Sequence, residues 1–297
     1  MAHLQDWIEG ARMRTLPASV APVLAGAGIA AWAGTGSLPR TLLAASVALL
    51  FQIGVNFSND YSDGIRGTDD VRTGPPRLTG GGKAAPRTVK IAALACFGLG
   101  CLAGLVLVAL SGAWWLIIAG AVAVLAAWYY TGGKHPYGYM GLGELFVFVF
   151  FGLMATAGTT YTQGLSVPWQ AWVASTTIGL IACALLMVNN IRDIPTDVLA
   201  GKHTLAVRLG DKAARATYDA MILVPFALLG SYASTLLPWS YAFFLPAFCI
   251  AIQCVMRIHG LGAFDRHEGR ALIPVLRDAG FLELAFGAAL LLSFLVS

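Results

Sequence analysis

The chain is 297 residues long, 58% hydrophobic and only 11% charged, with a formal net charge of +4 and a mean hydropathy of +0.72. An ordinary soluble domain carries about a quarter charged residues, and one water-soluble core could not hide so many apolar side chains. Lipid must therefore solvate much of the surface, and the basic residues, scattered between hydrophobic runs, leave no footprint for a nucleic acid partner.

The first 14 residues are polar and do not have the form of a cleaved leader. Nine apolar stretches long enough to cross a bilayer follow, at about 16–33, 41–59, 88–110, 113–131, 142–161, 170–191, 217–237, 241–257 and 278–296. Connectors after the odd-numbered stretches are short and nearly uncharged: 34–40, 111–112, 162–169 and 238–240. Those after the even-numbered ones are long and charged: 60–87, 132–141, 192–216 and 258–277. Of 19 Lys and Arg residues only Arg40 falls on the sparse side, and all 15 acidic residues fall on the charged side or at helix ends abutting it. The positive-inside rule makes the charged face cytoplasmic. The expectation is one all-α integral membrane domain over 1–297 with nine transmembrane helices, its N-terminus cytoplasmic and its C-terminus outside. The five cysteines lie inside apolar stretches with no CxxC pair, as small packing residues do.

Two polar clusters end the second and sixth stretches. If the second helix continues through 55–64, Asn56, Asp60 and Asp63 are spaced i, i+4, i+7 and share one face. Asn189, Asp193 and Asp197 are spaced i, i+4, i+8, with Pro195 positioned to distort the last turn. Asn56 and Asn189 stand 133 residues apart, which hints at a duplicated four-helix unit. Bundled carboxylates near hydrocarbon are costly, at about 3 kcal/mol per Asp on insertion scales, so a cation should sit between them. Hard carboxylate and amide oxygens suit Mg²⁺, and Arg66, Arg72, Arg77, Lys83, Arg192 and Lys202 nearby would face a polyanion bridged by the metal. Together these groups read as a diphosphate site.

The runs Asn56 to Asp63 and Asp193 to Asp197 resemble the two signatures of UbiA-type intramembrane prenyltransferases. The likeness covers essentially the whole chain and implies that family's nine-helix bundle. Residues 59–69, 130–133, 136–139, 141–144, 189–194 and 201–210 resemble the branch that acts on 1,4-dihydroxy-2-naphthoate. One departure is Gly67, where the general family pattern has a third acid; here the next acids are Asp69 and Asp70. The resemblance implies transfer of a polyprenyl group from polyprenyl diphosphate to that naphthoate, with loss of CO2 and diphosphate, giving demethylmenaquinone. It implies Mg²⁺ held by Asn56, Asn59, Asp60, Asp63, Asn189, Asp193 and Asp197, with Asp60, Asp63, Asp193 and Asp197 catalytic. Arg192, Lys202, Lys134, Tyr130 and Arg14 are its diphosphate candidates, although Lys134 and Arg14 are equally placed to set topology. Lys83 is the candidate for the acceptor. The site would face the cytoplasm from the inner (plasma) membrane. Related acceptors such as 4-hydroxybenzoate or homogentisate are the alternatives.

Weaker features are read blandly. Gly80-Gly81-Gly82-Lys83 lacks the Walker spacing, and His135 and His203 sit in charged loops as solvated histidines. A secondary transporter would place its acids near the midplane rather than at one face. Asp60-Tyr61-Ser62-Asp63-Gly64 starts like a CDP-alcohol phosphotransferase motif, but Gly67-Thr68 breaks it.

Overall fold

The computed structural model describes residues 2–13, 15–67, 77–262 and 267–297. Among them the regular structure is helical throughout: α1 (Leu4–Ala11), α2 (Leu16–Trp32), α3 (Leu38–Ile65), α4 (Pro86–Ser111), α5 (Leu116–Tyr129), α6 (Gly143–Val147), α7 (Ala155–Gly164), α8 (Trp169–Leu199), α9 (Leu205–Leu228), α10 (Leu245–His259) and α11 (Leu272–Val296). A π-helical stretch, Phe148–Met154, joins α6 to α7 without a break.

Each of the nine apolar stretches is helical. By length and composition, seven helical segments among the described residues can cross a membrane. Counting α1 and α2 as one span bent by 50° adds an eighth, and α5 is a shorter apolar helix. The charged connectors are the larger departure. α3 runs on to Ile65 and α8 to Leu199, and α9 already begins at Leu205. The first charge does not end these helices, because their acids turn inward instead of meeting solvent at an end. α8 also passes through Pro195 unbroken. Glu283 corrects the expectation that acids lie only at helix ends, since it stands 11 residues inside α11 with no exposed surface.

The helix ends follow local chemistry. Pro86 opens α4, where a missing N–H costs nothing. Gly112, at φ 75°, closes it in the left-handed conformation. Arg40, the lone cation of the sparse face, donates to the carbonyls of Leu110 at the end of α4 and of Thr162 and Gln163 at the end of α7. A guanidinium there offsets the partial negative charge of two helix termini.

Packing divides the bundle in two. α2, α8, α9, α10 and α11 enclose one continuous apolar core around Ile178, Met187, Tyr218, Ile222, Phe286 and Leu290. Small residues let α2 and α11 touch: a Cβ on Gly287 would lie 2.5 Å from the Ala21 carbonyl oxygen, and one on Gly28 would lie 2.6 Å from Leu291 Cα. α3, α4 and α5 are more open, with only small clusters such as Phe57, Leu78 and Val89. Their outer faces carry Leu94, Leu99, Leu102, Ile118 and Leu125, all exposed, as lipid contact requires. The cavity lies on this looser side.

Candidate active site

A cavity of about 860 Å³ opens between α2, α3, α4, α5, the α6–α7 unit, α8 and α11. All seven predicted oxygen donors line it: Asn56, Asn59, Asp60, Asp63, Asn189, Asp193 and Asp197. Arg192, Lys202 and Tyr130 line it too, together with Arg12 and Arg77. Away from this polar end the wall is apolar and aromatic, with Phe51, Val124, Phe146, Phe150, Phe151 and Met154. The continuation of α3 and α8 through their acid clusters produces this arrangement, since only an unbroken helix keeps i, i+4 and i+7 on one side.

The donors differ in their partners. Asp60 is fully buried, and its two carboxylate oxygens accept backbone N–H bonds from Leu78 and Thr79, each 2.8 Å. Asp63 accepts from the Tyr139 hydroxyl at 2.6 Å and has Lys202 Nζ at 3.7 Å. Lys202 lies over the Tyr139 ring, 4.5 Å from its centroid, with Arg66 on the same ring at 5.5 Å. The Asp193 carboxylate takes both forks of the adjacent Arg192 guanidinium. Thr131 Oγ1 donates to Asn59 Oδ1 at 2.8 Å. Asn56 donates from Nδ2 to the Ala11 carbonyl at 2.9 Å, tying α1 to the mouth of the cavity.

Because acids and cations pair this way, the described residues hold no group of three His, Cys, Asp or Glu side chains gathered as a metal site. The donor chemistry still fits a hard dication. Mg²⁺ takes only one or two carboxylates and completes its shell with water and phosphate oxygens. Arg192 and Lys202 already stand where a phosphate-bearing ligand would replace the carboxylates as their partners.

Two predicted residues fall elsewhere. Lys134 is exposed and does not line the cavity. Lys83 pairs with Asp6 at 2.6 Å and Glu9 at 3.5 Å, holding α1 down, so the structure puts it on the outer side of the mouth and not in the wall. Arg14, Arg72, Asp69 and Asp70 lie outside the described residues. His135 and His203 are exposed, as loop histidines should be. Reading the sequence missed Arg12, Tyr139 and Glu283 as cavity residues. Tyr139 stands in a quoted stretch, 136–139, but nothing in its spacing points at Asp63. Glu283 was open to detection, as an acid within an apolar run.

Long apolar helices around a buried, acid-lined cavity define a multi-pass membrane protein with a polar intramembrane site. The chain belongs to the UbiA prenyltransferase family, whose sequence profile matches residues 19–273. It is 48% identical to the 1,4-dihydroxy-2-naphthoate octaprenyltransferase of Mycobacterium tuberculosis, over 97% of this chain and 96% of that one. It is 46% identical to the protein of the same name from Mycobacterium leprae, with the same coverage. Among solved structures, a UbiA homolog from Archaeoglobus fulgidus bound to GPP and Mg²⁺ has the same fold, with a TM-score of 0.67 over 96% of this chain and 99% of that one, at 14% identity.

Proposed function

We propose that this protein transfers a polyprenyl group from polyprenyl diphosphate to 1,4-dihydroxy-2-naphthoate, with loss of CO2 and diphosphate, giving demethylmenaquinol, which air oxidises to demethylmenaquinone. One observation carries the proposal: two acid clusters 133 residues apart line the polar end of one cavity whose remaining wall is apolar and aromatic. A diphosphate with a hydrocarbon tail has that division of polarity. The near full-length identity to naphthoate octaprenyltransferases supports the acceptor.

Asp63, Asn189, Asp193 and Asp197 would hold Mg²⁺, with Asn56, Asn59 and Asp60 around them. When bound there, Mg²⁺ would supply positive charge for the departing diphosphate. Arg192 and Lys202 turn from their carboxylates to the diphosphate and stabilise it as a leaving group. The apolar wall excludes water from the allylic cation left behind, and the faces of Phe146 and Phe150 are suited to stabilise it. The ring carbon bearing the carboxylate then bonds to the cation, and the carboxylate leaves as CO2 with its bonding electrons returned to the ring. In this reading 1–297 forms one domain with nine spans, the N-terminus and the charged segments 60–87, 132–141, 192–216 and 258–277 lie on the cytoplasmic side, and the site opens there from the plasma membrane.

The deciding assay uses detergent-solubilised protein, 1,4-dihydroxy-2-naphthoate, a polyprenyl diphosphate and Mg²⁺, with the lipophilic quinone followed by mass spectrometry. The expected product is a prenyl-naphthoquinol lacking the carboxylate, detected as its air-oxidised quinone. Product with 4-hydroxybenzoate or homogentisate alone would keep the chemistry and discard the acceptor.

A further inference from the structure

Glu283 is a charged-type side chain with no exposed surface, and among the described residues neither of its carboxyl oxygens has a hydrogen-bond partner. Leaving a buried polar group unpaired is costly, and more so if it is charged. Such a group is accounted for most directly by a ligand that completes it. Glu283 belongs to the cavity wall, on the same face of α11 as Ile273 and Leu276. Its height follows from helix contacts. Gly287 packs on Ala21 of α2, so Glu283, four residues earlier and about 6 Å away along the axis, is level with the first turn of α2. There Thr15 is bonded to Gln52 of α3, one turn below Asn56. Glu283 therefore sits in the cavity wall just beneath its polar end.

We infer that Glu283 is the partner of a ring hydroxyl on the aromatic acceptor, an inference that rests on the prenyl-transfer reading above. The other parts of the two substrates are poor matches. A hydrocarbon tail can make no hydrogen bond, and a diphosphate would be repelled by a carboxylate and lack donors for it. Only the acceptor brings hydroxyl groups, which complement a carboxyl group in either protonation state. A hydroxyl held at this height keeps the ring directly below the diphosphate, where the allylic carbon must be attacked. It also turns the hydroxyl into a recognition element, since a site built to bond a hydroxyl rejects analogues that lack it.

The test measures steady-state kinetics of the full chain in detergent for wild type, Glu283→Gln and Glu283→Leu. In Glu283→Leu the KM for 1,4-dihydroxy-2-naphthoate should rise about tenfold, the equivalent of one lost hydrogen bond, while that for polyprenyl diphosphate stays put. Glu283→Gln, which keeps an acceptor and a donor, should fall between. Thermal stability of the Leu variant should hold or rise, because an unpaired polar group has been removed; a structural role would lower stability and move both KM values. The wild type offers a check that needs no variant. Of the two naphthoates lacking one ring hydroxyl, one should bind about tenfold more weakly than the parent, and the Leu variant should no longer distinguish it. Unchanged acceptor KM in both variants of an active enzyme, or equal binding of both hydroxyl-deleted acceptors by wild type, would overturn the inference alone. Failure of wild type to prenylate any hydroxynaphthoate would overturn the functional reading and this inference with it.

Discussion

Asp60 and Asp193 line the same cavity but hold opposite kinds of partner. Asp60 is occupied on both oxygens by the backbone of Leu78 and Thr79, whereas Asp193 is held by a mobile type of group, the Arg192 side chain. Their conservative variants should therefore fail differently. Asp60→Asn puts an amide N–H₂ against a backbone N–H and should lower stability by about 2 kcal/mol, read as a lower thermal midpoint in detergent. Asp193→Asn should leave the midpoint within a degree or two and lower kcat by roughly 100-fold or more, because it removes charge where charge develops. Equal stability loss in both would contradict the division. The sequence makes the shared face of these acids legible, since spacing of four and seven is a helical signal. It does not distinguish their roles. The partner of Asp60 comes from residues 18 and 19 further on, across a loop whose path no periodicity predicts.

Among the elements, α1 is attached by polar contacts as well as by apolar packing on Phe57 and Leu78. Lys83 holds Asp6, Asn56 holds the Ala11 carbonyl, and Trp7 meets Phe57 edge-on at 5.5 Å. The hydrogen bond that Lys83 donates to Asp6 holds the Asp6 carboxyl below its ordinary value of 3.8 and raises the Lys83 ammonium above 10.5. A lowered acid contributes above its unfolded value and is lost as pH falls through the folded one. A raised base contributes below its unfolded value and is lost as pH climbs through the folded one. Docking of α1 should thus be level across neutral pH and weaken only below about 4 or above about 10.5. Trp7 fluorescence should report it, and in Lys83→Met the acid-side change should disappear. Between α2 and α11 the contact is steric. Gly287→Val would press a side chain into the Ala21 carbonyl and should cost about 2 kcal/mol, whereas Gly98→Val, with nothing within 4 Å, should be neutral by the same unfolding measurement. Nine apolar stretches announced these helices. Their true ends were hidden because charges buried by the fold resemble charges placed in water.

For the whole molecule, the distribution of packing matters more than the number of spans. A continuous core joins α2 and α8 through α11, while the cavity occupies the side built from α3 to α7. Excess chelator should stop turnover and added Mg²⁺ restore it, without altering the thermal midpoint by more than a few degrees, because the acids line the cavity while the large apolar core is held by side-chain packing. Full activity in chelator would remove the metal from the proposal. Composition and the alternation of loops foretold a membrane bundle with its polar groups gathered at one end. The inequality of its two sides could not be read, since both are equally apolar and differ only in which side chains find each other.

The π-helical stretch Phe148–Met154 gives the family's history a mechanical dimension. A π-helical turn is an α-helical turn carrying one additional residue, and each residue turns an α-helix by about 100°. Loss of a single codon between 148 and 154 would let that turn relax to α-helix with Ala155, Gly158 and Thr159 still facing the cavity, because the wider turn absorbs the extra residue; the same loss from an α-helical turn would swing everything beyond it by about 100°. Point substitutions repaint a wall one residue at a time. Here the helix can lose a residue locally while the walls on either side of the turn keep their facing.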